Sequence, residues 1–99
     1  ACRIQNISGH LFLSTLFVTD KMRHKGIARA LISHLISYYK STEHHEIITF
    51  AYSDLTSLYF STGFTLCDTM PEPLAVMFNN YLKQGRKISA MRYAINTYA

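Results

Sequence analysis

Two apolar runs with the character of strands, residues 11–18 and residues 46–52, flank one stretch with the period of a helix, residues 27–40. That pattern constrains the chain more than any other feature. Ile27, Leu31, Leu35 and Tyr38/Tyr39 fall on one helical face, widened by Ala28, Ile32 and Ile36, while Arg29, Ser33, Ser37 and Lys40 fall on the other. This is the 3.6-residue period of a helix packed on a sheet. The flanking runs are β-branched or aromatic and apolar on both faces, as strands in the middle of a sheet are. A strand, a helix of this length and a second strand make a right-handed crossover, so the two strands should be parallel.

The first strand hands over to the helix through a basic turn, Arg23-His24-Lys25-Gly26-Ile27-Ala28, with Lys21 and Arg29 close by. A helix start exposes N–H groups with no partner inside the helix, and the helix dipole adds positive charge there. Gly26 removes a Cβ where a ligand must approach the backbone. The combination suits a phosphate or another polyanion.

The remaining chain is punctuated by turns. Residues 1–7 form a short strand, and Asn6-Ile7-Ser8-Gly9 turns it into a hairpin with the next. Ser53 or Asp54 caps a short helix over residues 55–62, which Gly63 ends. A strand follows over 64–69, and Pro71 and Pro73 break the chain. Leu74, Met77/Phe78 and Tyr81/Leu82 repeat at helical spacing up to Gly85, and a strand over 87–97 closes the order, although Ala90–Ala94 also fits a helix. The predicted order is β-β-α-β-α-β-α-β, an α/β fold with a mixed sheet.

Two of these stretches resemble a known family. Arg23-x-x-Gly26-x-Ala28 is similar to the Q/R-x-x-G-x-G/A signature of the GNAT superfamily of N-acetyltransferases, and Val18 stands five residues before Arg23, as in that family, with Asp20 in place of its proline. Leu58-Tyr59-x-x-x-Gly63-Phe64 is similar to the family's second signature, L-Y-x-x-x-G-F. The resemblance implies that acetyl-CoA is the acyl donor. Its pyrophosphate would lie on the turn Arg23, His24, Lys25, Gly26, Ile27 and Ala28, with Arg29 adding charge. Its pantetheine arm would pair with the backbone of Leu16 and Val18. Tyr59 would protonate the leaving thiolate, and the acceptor would be a primary amine attacking directly in a ternary complex. The alternative is a module of the same fold that holds acyl-CoA or a partner chain without turnover.

The resemblance also exposes departures. Several family members carry a glutamate on the strand before the turn, where this chain has Phe12 and no carboxylate from Leu11 to Val18. The amine would then need an ordered water, His10 or a residue from the absent N-terminal part as base, or would arrive already neutral. The family's first strand, first two helices and second strand have no counterpart. The sheet surface that those helices cover would be bare, so the chain is expected either to form a two-fold homodimer or to be the tail of a longer polypeptide.

Composition sets the outer limits. The 99 residues suffice for one small GNAT-like domain over 1–99, and 48% of them are hydrophobic, as a packed core needs. No apolar run reaches the roughly 18 residues of a membrane span. A net charge of +4 admits anionic ligands without implying nucleic acid. Cys2 and Cys67 form no metal or redox motif, which fits a reduced cytoplasmic setting, and His44-His45-Glu46 reads as a polar loop rather than a metal site.

Overall fold

The computed structural model describes residues 3–7, 9–14, 25–40 and 44–95. Its elements follow the order β1 (Arg3–Ile7), β2 (His10–Ser14), α1 (Lys25–Tyr39), β3 (Glu46–Tyr52), α2 (Thr56–Ser61), β4 (Thr65–Leu66), α3 (Glu72–Lys83) and β5 (Ile88–Ala94). This is the order expected from the sequence. The five strands form one sheet, ordered β1-β2-β3-β5-β4.

Local chemistry accounts for the joins. β1 and β2 form an antiparallel hairpin in which Ile7 faces His10. Gly9 turns it at φ +86°, and its N–H donates to Asn6 Oδ1 at 2.8 Å. β2 and β3 are parallel, as a crossover through α1 requires. β5 pairs antiparallel with β3 along its whole length, from Glu46–Ala94 to Tyr52–Ile88, which excludes a helix over residues 90–94. β4 is shorter than expected; only Thr65 and Leu66 pair with β5, opposite Arg92 and Met91.

Alternation along the strands sends side chains to two cores. Leu11, Leu13, Ile47 and Ala51 join Ile32 and Ile36 of α1 and Leu58 and Tyr59 of α2 on one face. Phe12, Ile48 and Phe50 join Leu74 of α3 on the other, with Met77, Phe78 and Tyr81 packed against them. Phe50 meets Phe12, Phe78 and Tyr81 edge to face, at centroid distances of 4.6, 5.1 and 5.6 Å.

The structure corrects several expectations. The sheet face expected to be bare is covered by α3, whose Leu74 is fully buried against it. The bare surface invoked for a homodimer is therefore not there on this face. Within α1 the buried line runs through Ile32 and Ile36, and Tyr38 is 64% exposed, because it lies round the helix from that line. Phe60 is half exposed on α2. Neither Ser53 nor Asp54 caps α2; its N-cap is Leu55, with no side-chain bond. The Leu55 N–H bonds back to the Tyr52 carbonyl at 2.8 Å, so a tight turn out of β3 starts the helix instead. Among the described residues no helix is long and apolar enough to cross a membrane.

Candidate functional site

A cavity forms where β2 and β3 part. Their register runs from Leu11–Ile47 to Leu13–Thr49, while β3 continues three residues further, to Tyr52, still paired with β5 on its other side. The last rung is fastened by a side chain: the buried Thr49 hydroxyl donates to the Leu13 carbonyl at 2.9 Å. Beyond it lies a cavity of about 280 Å³. Leu13, Thr49, Leu55 and Tyr59 line it from the face of α1 and α2, and Phe12, Phe50, Tyr81 and Ile88 from the face of α3. Ser14, Tyr52 and Arg86 complete the described lining. The cavity thus passes between the two sheet faces at the carboxyl ends of the parallel strands, where open α/β sheets bind ligands.

Tyr59 is held there by the way α2 ends. The Gly63 N–H bonds to the Phe60 carbonyl at 3.1 Å, and the Phe64 N–H to the Tyr59 carbonyl at 3.0 Å. These are the two bonds of a Schellman ending, with Gly63 at φ +106° as its left-handed residue. The hydrophobic contact of that motif joins Phe64 to Tyr59, ring centroids 5.1 Å apart. A Cβ on Gly63 would also come within 2.7 Å of Tyr93 Cε2. The tyrosine, glycine and phenylalanine of Leu58-Tyr59-x-x-x-Gly63-Phe64 therefore serve one ending that fixes Tyr59, itself 2% exposed, in the cavity wall.

The other candidate residues divide. Leu16, Val18, Arg23 and His24 lie outside the described residues. Lys25, Gly26, Ile27 and Ala28 form the first turn of α1, which starts two residues before the stretch 27–40 read from the sequence, with no acidic residue in that turn. Arg29 is exposed on the same helix. His10, considered as a base, stands at the start of β2, roughly 13 Å along the strand from Ser14 at about 3.3 Å per residue, and is not in the described cavity lining. It lines a separate hollow with Gly9, His44, His45 and Glu46. Glu46 there pairs with Arg92 at 3.6 Å. Among the described residues no group of His, Cys, Asp and Glu is arranged to hold a metal ion.

Cys67 is unsuited to nucleophilic work. It is not among the described residues that line the cavity, and its Sγ–H donates to the Thr69 carbonyl at 2.7 Å. Burial pushes its thiol above the ordinary range, although the bond to Thr69 opposes this. The polar lining residues that sequence reasoning missed are Ser14, Thr49, Tyr52, Tyr81 and Arg86. Only the strand register at the end of β2 brings them together, and no local motif marks it.

A family model described as an acetyltransferase (GNAT) domain matches residues 2–81. The chain belongs to the GNAT acetyltransferase family. Among solved structures, N-acetylglutamate synthase from Neisseria gonorrhoeae, complexed with coenzyme A and N-acetyl-glutamate, matches with a TM-score of 0.74 at 14% identity. The match covers 96% of this chain and 22% of that one, so the present chain spans less than a quarter of its length. At that identity the likeness is one of fold, a mixed sheet with helices on both faces. No curated protein matches the sequence.

Proposed function

We propose that this GNAT chain transfers an acetyl group from acetyl-CoA to a primary amine by direct attack. The observation that carries the reading is Tyr59, buried in the wall of a cavity that opens between β2 and β3. A phenol is protonated near neutral pH and can donate to a leaving thiolate. The amine nitrogen forms its bond to the acyl carbon, the carbon–sulfur bond breaks, and sulfur takes the Tyr59 proton. The amine releases a proton to water, and the phenolate is reprotonated from solvent. Cys67, with its raised pKa, is not needed for an acyl-enzyme step.

The donor substrate would lie against the start of α1. Backbone N–H groups of Lys25, Gly26, Ile27 and Ala28 belong to its first turn, which suits the pyrophosphate. Arg23, Lys25 and Arg29 would supply cations to the phosphates, with His24 in the same turn, and the backbone of Leu16 and Val18 would pair with the pantetheine arm. Calorimetric titration with acetyl-CoA, CoA and dephospho-CoA tests this. Gly26→Val should weaken acetyl-CoA at least about tenfold, the cost of one charge-assisted contact. Undiminished affinity in a folded Gly26→Val protein would move the donor site away from this turn.

A second reading, acyl-CoA binding without turnover, is favoured by one observation. Among the described residues, no carboxylate or imidazole lines the cavity. Release of free CoA that depends on added amine separates the two readings.

A further inference from the structure

Arg86 is the charged side chain among the described residues that line the cavity. It enters the wall just after α3 stops. Gly85, at φ +82°, turns the chain, and the Arg86 N–H bonds back to the Tyr81 carbonyl at 3.3 Å. Its guanidinium then lies over the Tyr81 ring, 4.3 Å from the centroid. Nη1 donates to the Tyr52 hydroxyl at 3.4 Å. Stacking holds one face of the guanidinium and the Tyr52 bond engages one donor of its edge. A guanidinium has five N–H donors in a rigid fork. Such a fork matches a carboxylate through two parallel bonds.

Its neighbours favour an anion. No Asp or Glu is in the described lining, and the Glu46–Arg92 pair lies at the other end of β3. Tyr52, Tyr81 and Arg86 sit on the side of α3, across the sheet from Leu55 and Tyr59. A donor approaching from the start of α1 would leave this side open to the second substrate. At about 280 Å³ the cavity falls near the lower end of small-molecule sites, which run from about 300 to 1,000 Å³.

We propose that Arg86 binds a carboxylate of the acceptor, so that the acceptor is a small molecule carrying both a primary amine and a carboxylate, of amino-acid type. The proposal rests on the acetyltransferase reading and adds its substrate class. Arg86 is then a specificity-determining residue, prepared by Tyr81 and Tyr52 before the acceptor arrives.

The test uses the full chain, acetyl-CoA and a panel of free amino acids, each paired with its α-carboxamide, with CoA release as the readout. The acids should be used with kcat/KM about ten- to hundredfold above their amides, as for a charge-assisted hydrogen-bonded contact. Arg86→Gln should remove most of that ratio through a higher KM for the acids, and Arg86→Lys should keep part of it. Should Arg86→Gln fail to fold by circular dichroism, the acid-to-amide ratio of the unaltered chain and of Arg86→Lys decides. Equal use of acids and amides by the unaltered chain overturns the Arg86 assignment and leaves the acetyltransferase reading standing. Transfer to no amine, despite acetyl-CoA binding, removes both. A loss of acetyl-CoA affinity in Arg86→Gln as large as the loss of acceptor use would assign the guanidinium to the donor's phosphates and overturn the proposal.

Discussion

Tyr59 has two duties that pull in opposite directions. Its ring is core, packed on Phe64 and 2% exposed, while the same residue lines the cavity. A substitution that spares the ring separates the two. Tyr59→Phe should leave acetyl-CoA affinity nearly intact and slow transfer by about 10²–10⁴-fold, because the lost proton acts in the transition state. Single-turnover kinetics with a chemistry-limited amine is the measurement, and an unchanged rate would leave Tyr59 as packing alone. Phe12 shows the complementary case. Its ring packs edge to face on Phe50, 4.6 Å away, and it brings no carboxylate to the cavity wall. Arg86 was not legible at this scale, since nothing in Gln84-Gly85-Arg86 distinguishes a cavity residue from a solvated turn.

At the scale of elements, helix α2 is decided by its ending rather than its beginning. It has no side-chain cap at its start, yet both Schellman bonds close its end. Gly63 is required twice, by its positive φ and by the nearness of Tyr93. Gly63→Ala should therefore cost about 1–3 kcal/mol for the backbone conformation, before any clash is counted. Urea denaturation would read it, and a loss under about 0.5 kcal/mol would mean that the ending is not held as described. The glycine and its phenylalanine were legible because a Schellman ending is local and leaves its signature within six residues. The helical period of α1 and the apolar run of β3 were legible for the same reason. The short β4 was not. Thr65 and Leu66 look no less strand-like than their neighbours, and only pairing with β5, more than twenty residues later, limits them. The cavity was hidden likewise, since its walls come from β2, β3, α2, α3 and β5.

At the scale of the molecule, α3 completes the layering. It supplies to one face of the sheet what α1 and α2 supply to the other. Its helical period is plain in the sequence, but the surface it meets is not, because Leu74, Met77 and Phe78 would suit any apolar face. Leu74 is the residue that fastens it, with no exposed surface. Leu74→Ala should lower stability by about 2–5 kcal/mol, the usual range for removing a buried leucine side chain. The midpoint of urea unfolding should fall accordingly, with α3 ceasing to cover Phe12, Ile48 and Phe50. An unmoved midpoint would show that the face is held by other contacts.

The parting of β2 from β3 also has a mechanical side. Among the described residues, β1 and β2 share five paired positions and β3 and β5 share seven, whereas β2 and β3 share three. The Thr49 hydroxyl on the Leu13 carbonyl acts there as a latch at the end of a short seam. A pull applied between the β1–β2 hairpin and the β3–β5 pair would load that line. Among the described residues, the opening that would give a ligand its way in thus lies at the end of a seam with fewer rungs than the seam on either side of it.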